Sequence, residues 1–129
     1  MKWDDDIEDL IQSQLFNAIR LFRHEKNEPS TWHRLYEFAN AILGPIRDYG
    51  AVSDYKIVCD ERVNDQEAID APELHMQIGL KVETGARYRP YHFSVILGDD
   101  IGTAVMIPPD LIDKDCDFVN GRETSNEGT

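Results

Sequence analysis

The stretch Leu74-His75-Met76-Gln77-Ile78-Gly79-Leu80-Lys81-Val82-Glu83 decides the fold. Its apolar residues fall on every second position, and side chains of a strand alternate between two faces. The stretch therefore predicts a strand with one buried and one wet face. Downstream, Tyr91, Phe93, Val95 and Leu97 alternate with His92, Ser94 and Ile96, which predicts a second strand. Residues 84–90 supply the turn between the two. Upstream, Tyr55 to Asp60 reads as a short strand. The polar run from Asp60 to Pro72 reads as a loop, with a turn of helix over Gln66-Glu67-Ala68-Ile69. After the turn at Gly98-Asp99-Asp100, Thr103 to Ile107 is a short β-prone run stopped by Pro108-Pro109.

Before the strands the period is that of a helix. Ile7, Leu10, Ile11, Leu15, Ala18, Ile19 and Phe22 recur at three- and four-residue spacing, which predicts an amphipathic helix over 4–24. Asp4, Asp5, Asp6, Glu8 and Asp9 crowd its first turns, and Arg20, Arg23 and His24 its last, as the helix dipole favours. A second helix is predicted from Thr31 to Tyr49, with Ser30 or Thr31 as N-cap. Its apolar face is Trp32, Leu35, Tyr36, Ala39, Ile42, Leu43 and Ile46. Gly44-Pro45 predicts a kink or a break, and Gly50 the stop.

Two helices followed by strands give an α+β class. The expectation is two N-terminal amphipathic helices on one face of a small sheet of three or four strands, antiparallel or mixed. At 129 residues there is room for one domain plus a tail. Residues 1–109 are read as the domain, 110–118 as an extended arm, and 119–129 as a disordered acidic tail.

The charge is one-sided: 13 Lys and Arg against 25 Asp and Glu, net −12. Residues 1–9 carry −4 of it and residues 99–129 carry −6, so the body is nearly balanced. Such a chain repels polyanions, which argues against nucleic acid as a partner. No apolar run is long enough for a membrane helix, and the acidic start is unlike a signal peptide. Cys59 and Cys116 suit two thiols in a reducing compartment better than one disulfide.

Motifs that carry chemistry are sparse. There is no phosphate-binding glycine loop, no HExxH, no paired CxxC and no serine held between glycines. Asp113, Asp115 and Asp117 stand at positions 1, 3 and 5 of a calcium loop. Phe118 and Thr124 occupy the places where that loop needs Gly and Glu. His75 and His92 fall on the polar faces of two strands and are read as surface histidines, two ligands being too few to define a metal site. Cys59 alternates with Ile57 and reads as a buried, inert thiol. Trp32 and Tyr36 share the core face, whereas Phe38 lies off it and is free to meet a partner or a flanking loop.

Two stretches carry a more specific pattern. Phe22-Arg23-His24-Glu25-Lys26-Asn27-Glu28-Pro29-Ser30-Thr31-Trp32 ends the first helix and opens the second. Val58-Cys59-Asp60, then Asn64, then Ile69-Asp70 precede the alternating strand. In this order the chain resembles the C-terminal domain of contractile tail sheath proteins of phages, R-type bacteriocins and related injection machines. Phe22, Asn27, Thr31, Trp32, Val58, Cys59, Asp60, Asn64, Ile69 and Asp70 fit the family's places. Arg47-Asp48-Tyr49-Gly50-Ala51-Val52 resembles the helix end that follows in it. The likeness covers roughly residues 7–97.

The resemblance implies a structural role without catalysis or cofactor. In sheath proteins this domain faces the tail tube, and extended arms of neighbouring subunits add strands to each other's sheets. The partners it implies are tail sheath, tail tube or baseplate and neck proteins, in a homo-oligomeric ring or a hetero-assembly. The place it implies is the virion tail, reached after assembly in the host cytoplasm. The donated strand would be Gly102, Thr103, Ala104, Val105, Met106 and Ile107. A full sheath subunit is several hundred residues long, with outer domains and an N-terminal arm. This chain starts almost at the first helix, which suggests a small component that starts, ends or caps a sheath. Two other functions compete. One is an acidic cytosolic binding module, an assembly chaperone or an inhibitor of a basic protein, since charge steers such partners. The other is a small enzyme using Cys59 or the His75/His92 pair, for which no third group is visible.

Overall fold

The computed structural model describes residues 2–98, 100–112 and 119. Helix α1 spans Asp5–Arg20 and α2 Pro29–Asp48. Strand β1 is Asp54–Val58, followed by the short helix α3, Gln66–Asp70. Strands β2, Glu73–Lys81, β3, Arg89–Ile96, and β4, Ala104–Ile107, complete the sheet. A 3-10 turn, Pro109–Leu111, follows. The fold is α+β: a four-stranded sheet in the order β1-β2-β3-β4 with every neighbouring pair antiparallel.

The alternation of β2 becomes two chemically different faces. Leu74, Met76, Ile78 and Leu80 are buried, and their ladder neighbours Val95, Phe93 and Tyr91 on β3 are buried with them. Ile11, Leu15 and Ile19 of α1 and Leu35, Ala39 and Leu43 of α2 close the same core. Removing this many large apolar side chains from water, at about 25 cal/mol per Å2, is what holds helices to sheet.

Local chemistry sets the ends. Asp4 caps α1, its carboxylate accepting from the Ile7 N–H at 2.9 Å. α2 begins earlier than expected: Glu28 is its N-cap, Pro29 fills the first turn, and Thr31 is buried inside the helix. The Gly44-Pro45 break does not occur, and α2 runs through Pro45 to Asp48. Two expected core residues point outward, Leu10 at 46% exposure and Tyr36 at 40%. Phe16 of α1 and Trp3, which precedes the helix, pack against the core instead.

The C-terminal edge strand is held by the end of α1. Arg20 donates to the carbonyls of Gly102 and Ile101 at 3.1 and 2.9 Å, and Arg23 to that of Asp100 at 3.1 Å. The Arg23 carbonyl accepts from the Gly98 N–H at 2.6 Å. Gly102 has φ +62° and lies against the Arg23 side chain, so this turn needs glycine twice over. The expected tail from 119 onward begins on a docked residue: Val119 is fully buried and would meet any Cβ placed at Gly79.

Candidate functional site

The motif residues converge on the first half of β2. Strand β2 is longer than β1, whose last partner is Val58 opposite Gln77. The Leu97 N–H bonds the Pro72 carbonyl. By antiparallel alternation, the even-numbered residues of β2 then bond β3, and Glu73, His75, Gln77 and Gly79 face β1. Glu73 and His75 have no β1 residue opposite them. Two asparagines take that place. Asn64 donates through Nδ2 to the His75 carbonyl and accepts through Oδ1 from the His75 N–H, both at 2.8 Å. Asn27 donates through Nδ2 to the Glu73 carbonyl at 2.6 Å, and its Oδ1 accepts from Trp32 Nε1 at 2.5 Å.

The remaining motif positions support these two. The Asp60 carbonyl accepts from the Asn64 N–H at 2.9 Å, and Arg62 grips the Asp60 carboxylate at 2.8 Å. Burial alone would raise the Asp60 pKa, but the Arg62 hydrogen bonds and charge hold it below the usual range. Phe22, Trp32, Val58 and Cys59 are buried, and Ile69 packs partly against the core. Asp70 is exposed and accepts from Gln66 Nε2 at 2.9 Å. The ordered motif therefore builds a structural brace for β2.

The chemistry open to the described residues is correspondingly limited. Cys59 lies just beyond β1, and its thiol contacts the His75 carbonyl at 3.7 Å. Burial, with the nearby Asp60 charge, pushes its pKa up to about 12, which disarms it as a nucleophile. His75 and His92 are not the surface histidines expected. They are partly buried, and Nδ1 of His75 stands 2.9 Å from Nε2 of His92. Glu73 Oε1 lies 3.2 Å from the other His75 nitrogen. Burial, then the His75 charge, push the His92 pKa down to about 4. Among the described residues no group of three or more His, Cys, Asp and Glu is placed to hold a metal ion. The Asp113, Asp115 and Asp117 cluster and Cys116 lie outside the described residues. No described helix is long and apolar enough to cross a membrane. Phe38 packs edge-on against Phe22, ring centroids 6.3 Å apart, so a flanking segment of its own chain meets it.

The segment expected to be donated to a neighbour is paired within its own sheet. Ala104–Ile107 forms β4 beside β3, with Gly102 and Thr103 in the turn leading into it. The Ile96 N–H bonds the Thr103 carbonyl at 3.0 Å. Thr103, Val105 and Ile107 thus direct their backbone groups at β3, and Ala104 and Met106 direct theirs out of the sheet. Beyond Ile107 the ladder stops because Pro90 and Pro109, which come opposite each other, both lack an N–H. Along the open edge runs a groove of about 420 Å3 lined by Gln12, Ser13, Phe16 and Asn17 of α1 and by Met106.

The two edges of the sheet differ. At β1, Asp54 and Lys56 put charges on the strand, and Asp54 is engaged by Tyr88 and Arg47. β4 reads Ala-Val-Met-Ile without a charge, and Val105 is 52% exposed. Natural sheets blunt their edges with charges. An uncharged edge is the feature that sequence reasoning passed over, although its uncharged run was legible. No protein-family model, no curated protein and no solved structure matches the chain.

Proposed function

We propose that the chain is a non-enzymatic structural component of a contractile phage tail or related injection machine, a small sheath-like protein that assembles by strand addition. The open edge of β4 carries this reading. A neighbour's extended segment laid beside β4 would bond the N–H and C=O groups of Ala104 and Met106, which make no backbone bond among the described residues. Alternate side chains would drop into the groove beside Phe16. β4 is thus an acceptor edge, with its own strand fixed by β3 and by Arg20 and Arg23. The partners fitting this role are sheath, tube or baseplate and neck proteins. The ordered motif adds support, since it builds the brace that completes β2.

Met106→Pro tests it. The Met106 N–H faces outward, so proline there removes an edge donor and spares the bonds to β3. Co-expressed with the tail proteins of its source, the variant should fail to enter the assemblies that the unaltered chain enters. Equal incorporation would overturn the reading.

A further inference from the structure

We infer that the free protein pairs with a second copy of itself, β4 against β4, about a twofold axis through Val105. This rests on β4 being the docking edge and names the occupant of that edge before assembly. Three observations converge on it.

The first is register. An antiparallel strand added to β4 bonds where both partners turn backbone groups outward, and on β4 those residues are Ala104 and Met106. Setting Ala104 opposite the second copy's Met106 satisfies both at once, and the twofold repeats it. Paired residues then share a face, because both lie on the helix side of the sheet. Val105 comes opposite Val105, and the half-exposed side chains cover each other.

The second is charge along α1. Its N-terminal end lies by the start of β3, where Tyr91 and Arg89 contact Glu8. That is beside the end of β4, and its C-terminal end holds the start of β4 through Arg20. The stripe flanking the groove runs from Asp5 and Asp9, through Ser13 and Phe16, to Arg20 at helical spacing. A twofold places two such stripes antiparallel, acidic end toward basic end. A copy related by simple translation would instead meet the charged β1 edge.

The third is the missing guard. β4 has neither charge nor proline inside it to deter its own copy, so the same edge can serve both partners of an isologous contact.

The test is the mass of the full chain in solution by light scattering across a concentration series, with three variants. The unaltered chain should show two-chain mass. Met106→Pro should weaken association by about tenfold or more, one lost bond pair being worth about 1.4 kcal/mol. Val105→Lys, which leaves the backbone untouched, should do the same by setting two ammonium groups face to face. Val105→Cys, in a chain with Cys116→Ser, should give a covalent dimer on mild oxidation. Directly opposed non-hydrogen-bonded residues sit about 4.5 Å apart at Cα, within disulfide reach. A one-chain mass at every concentration would overturn the inference, as would a dimer indifferent to both edge variants or a Val105→Cys dimer that does not crosslink. A monomer that still enters tail assemblies through β4 would sink the dimer alone. A dimer that never enters them would sink the acceptor reading.

Discussion

The side-chain amide of Asn64 hydrogen-bonds both backbone groups of His75, donor and acceptor each at 2.8 Å. One asparagine thereby does for β2 what a further residue of β1 would do. The chain can leave the sheet after Val58, run through α3, and return without stranding polar groups on its central strand.

Replacing Asn64 by Ala should therefore be costly. The His75 N–H would lose its partner and the His75 carbonyl would keep only the weak Cys59 thiol contact, in a part-buried place, and the expected loss is about 2–4 kcal/mol in urea unfolding. Asn64→Asp keeps the acceptor and loses the donor, and should also destabilise. A change below about 0.5 kcal/mol for the alanine variant would show that the brace is dispensable.

Asn27 and Trp32 should be energetically coupled. Asn27 links the indole N–H to the Glu73 carbonyl. Trp32→Phe removes that N–H and leaves an aromatic ring to fill the core. In a double-mutant cycle with Asn27→Ala, the two changes should fall short of additive by about 0.5–1.5 kcal/mol. Strict additivity would separate them.

Stability should fall as pH drops from about 6.5 to about 4. In the unfolded chain the His92 imidazole takes a proton near 6.5, whereas folding lowers its pKa to about 4 through burial and the neighbouring His75. The unfolded state therefore binds more protons across that window, and stability rises with pH there. The loss on acidification is roughly 2–3 kcal/mol. Asp54 and Asp60, whose pKa values are lowered in the fold, add their loss only below the ordinary carboxylate range. His92→Gln should flatten the profile between pH 4 and 6.5. An unchanged slope in that variant would assign the effect elsewhere.

Gly79→Ala should destabilise by about 1–3 kcal/mol, the range for overpacking a filled site. Its Cβ would stand 2.7 Å from the Val119 Cβ and 3.1 Å from the Tyr88 Cβ. Thermal unfolding reads this directly. A neutral substitution would mean that Val119 does not dock there.

Much of the architecture was legible in the residues. Period-two runs located β2 and β3, because one face of each meets the helices and the other does not. Leu10 and Tyr36 misled because a periodic stripe fixes only a helix's average face, and the edges of that face are decided by which neighbours are present. Gly44-Pro45 does not break α2 because proline forfeits one bond within a helix that packing already holds. The roles of Asn27 and Asn64 were out of reach, since they depend on where β1 ends relative to β2. The His75/His92 contact needed the register of β2 on β3, which periodicity does not specify. The uncharged edge was half visible, in a strand without charge ended by two prolines.

The copy number of the chain in purified particles decides whether it has the proposed place in a tail assembly. Particles sedimented from the native source, stripped with salt and quantified by mass spectrometry should retain the chain at a fixed ratio to the tail proteins, a low one for a ring component. Complete loss of the chain from washed particles would overturn that place and favour an acidic chaperone or inhibitor that acts before the particle forms.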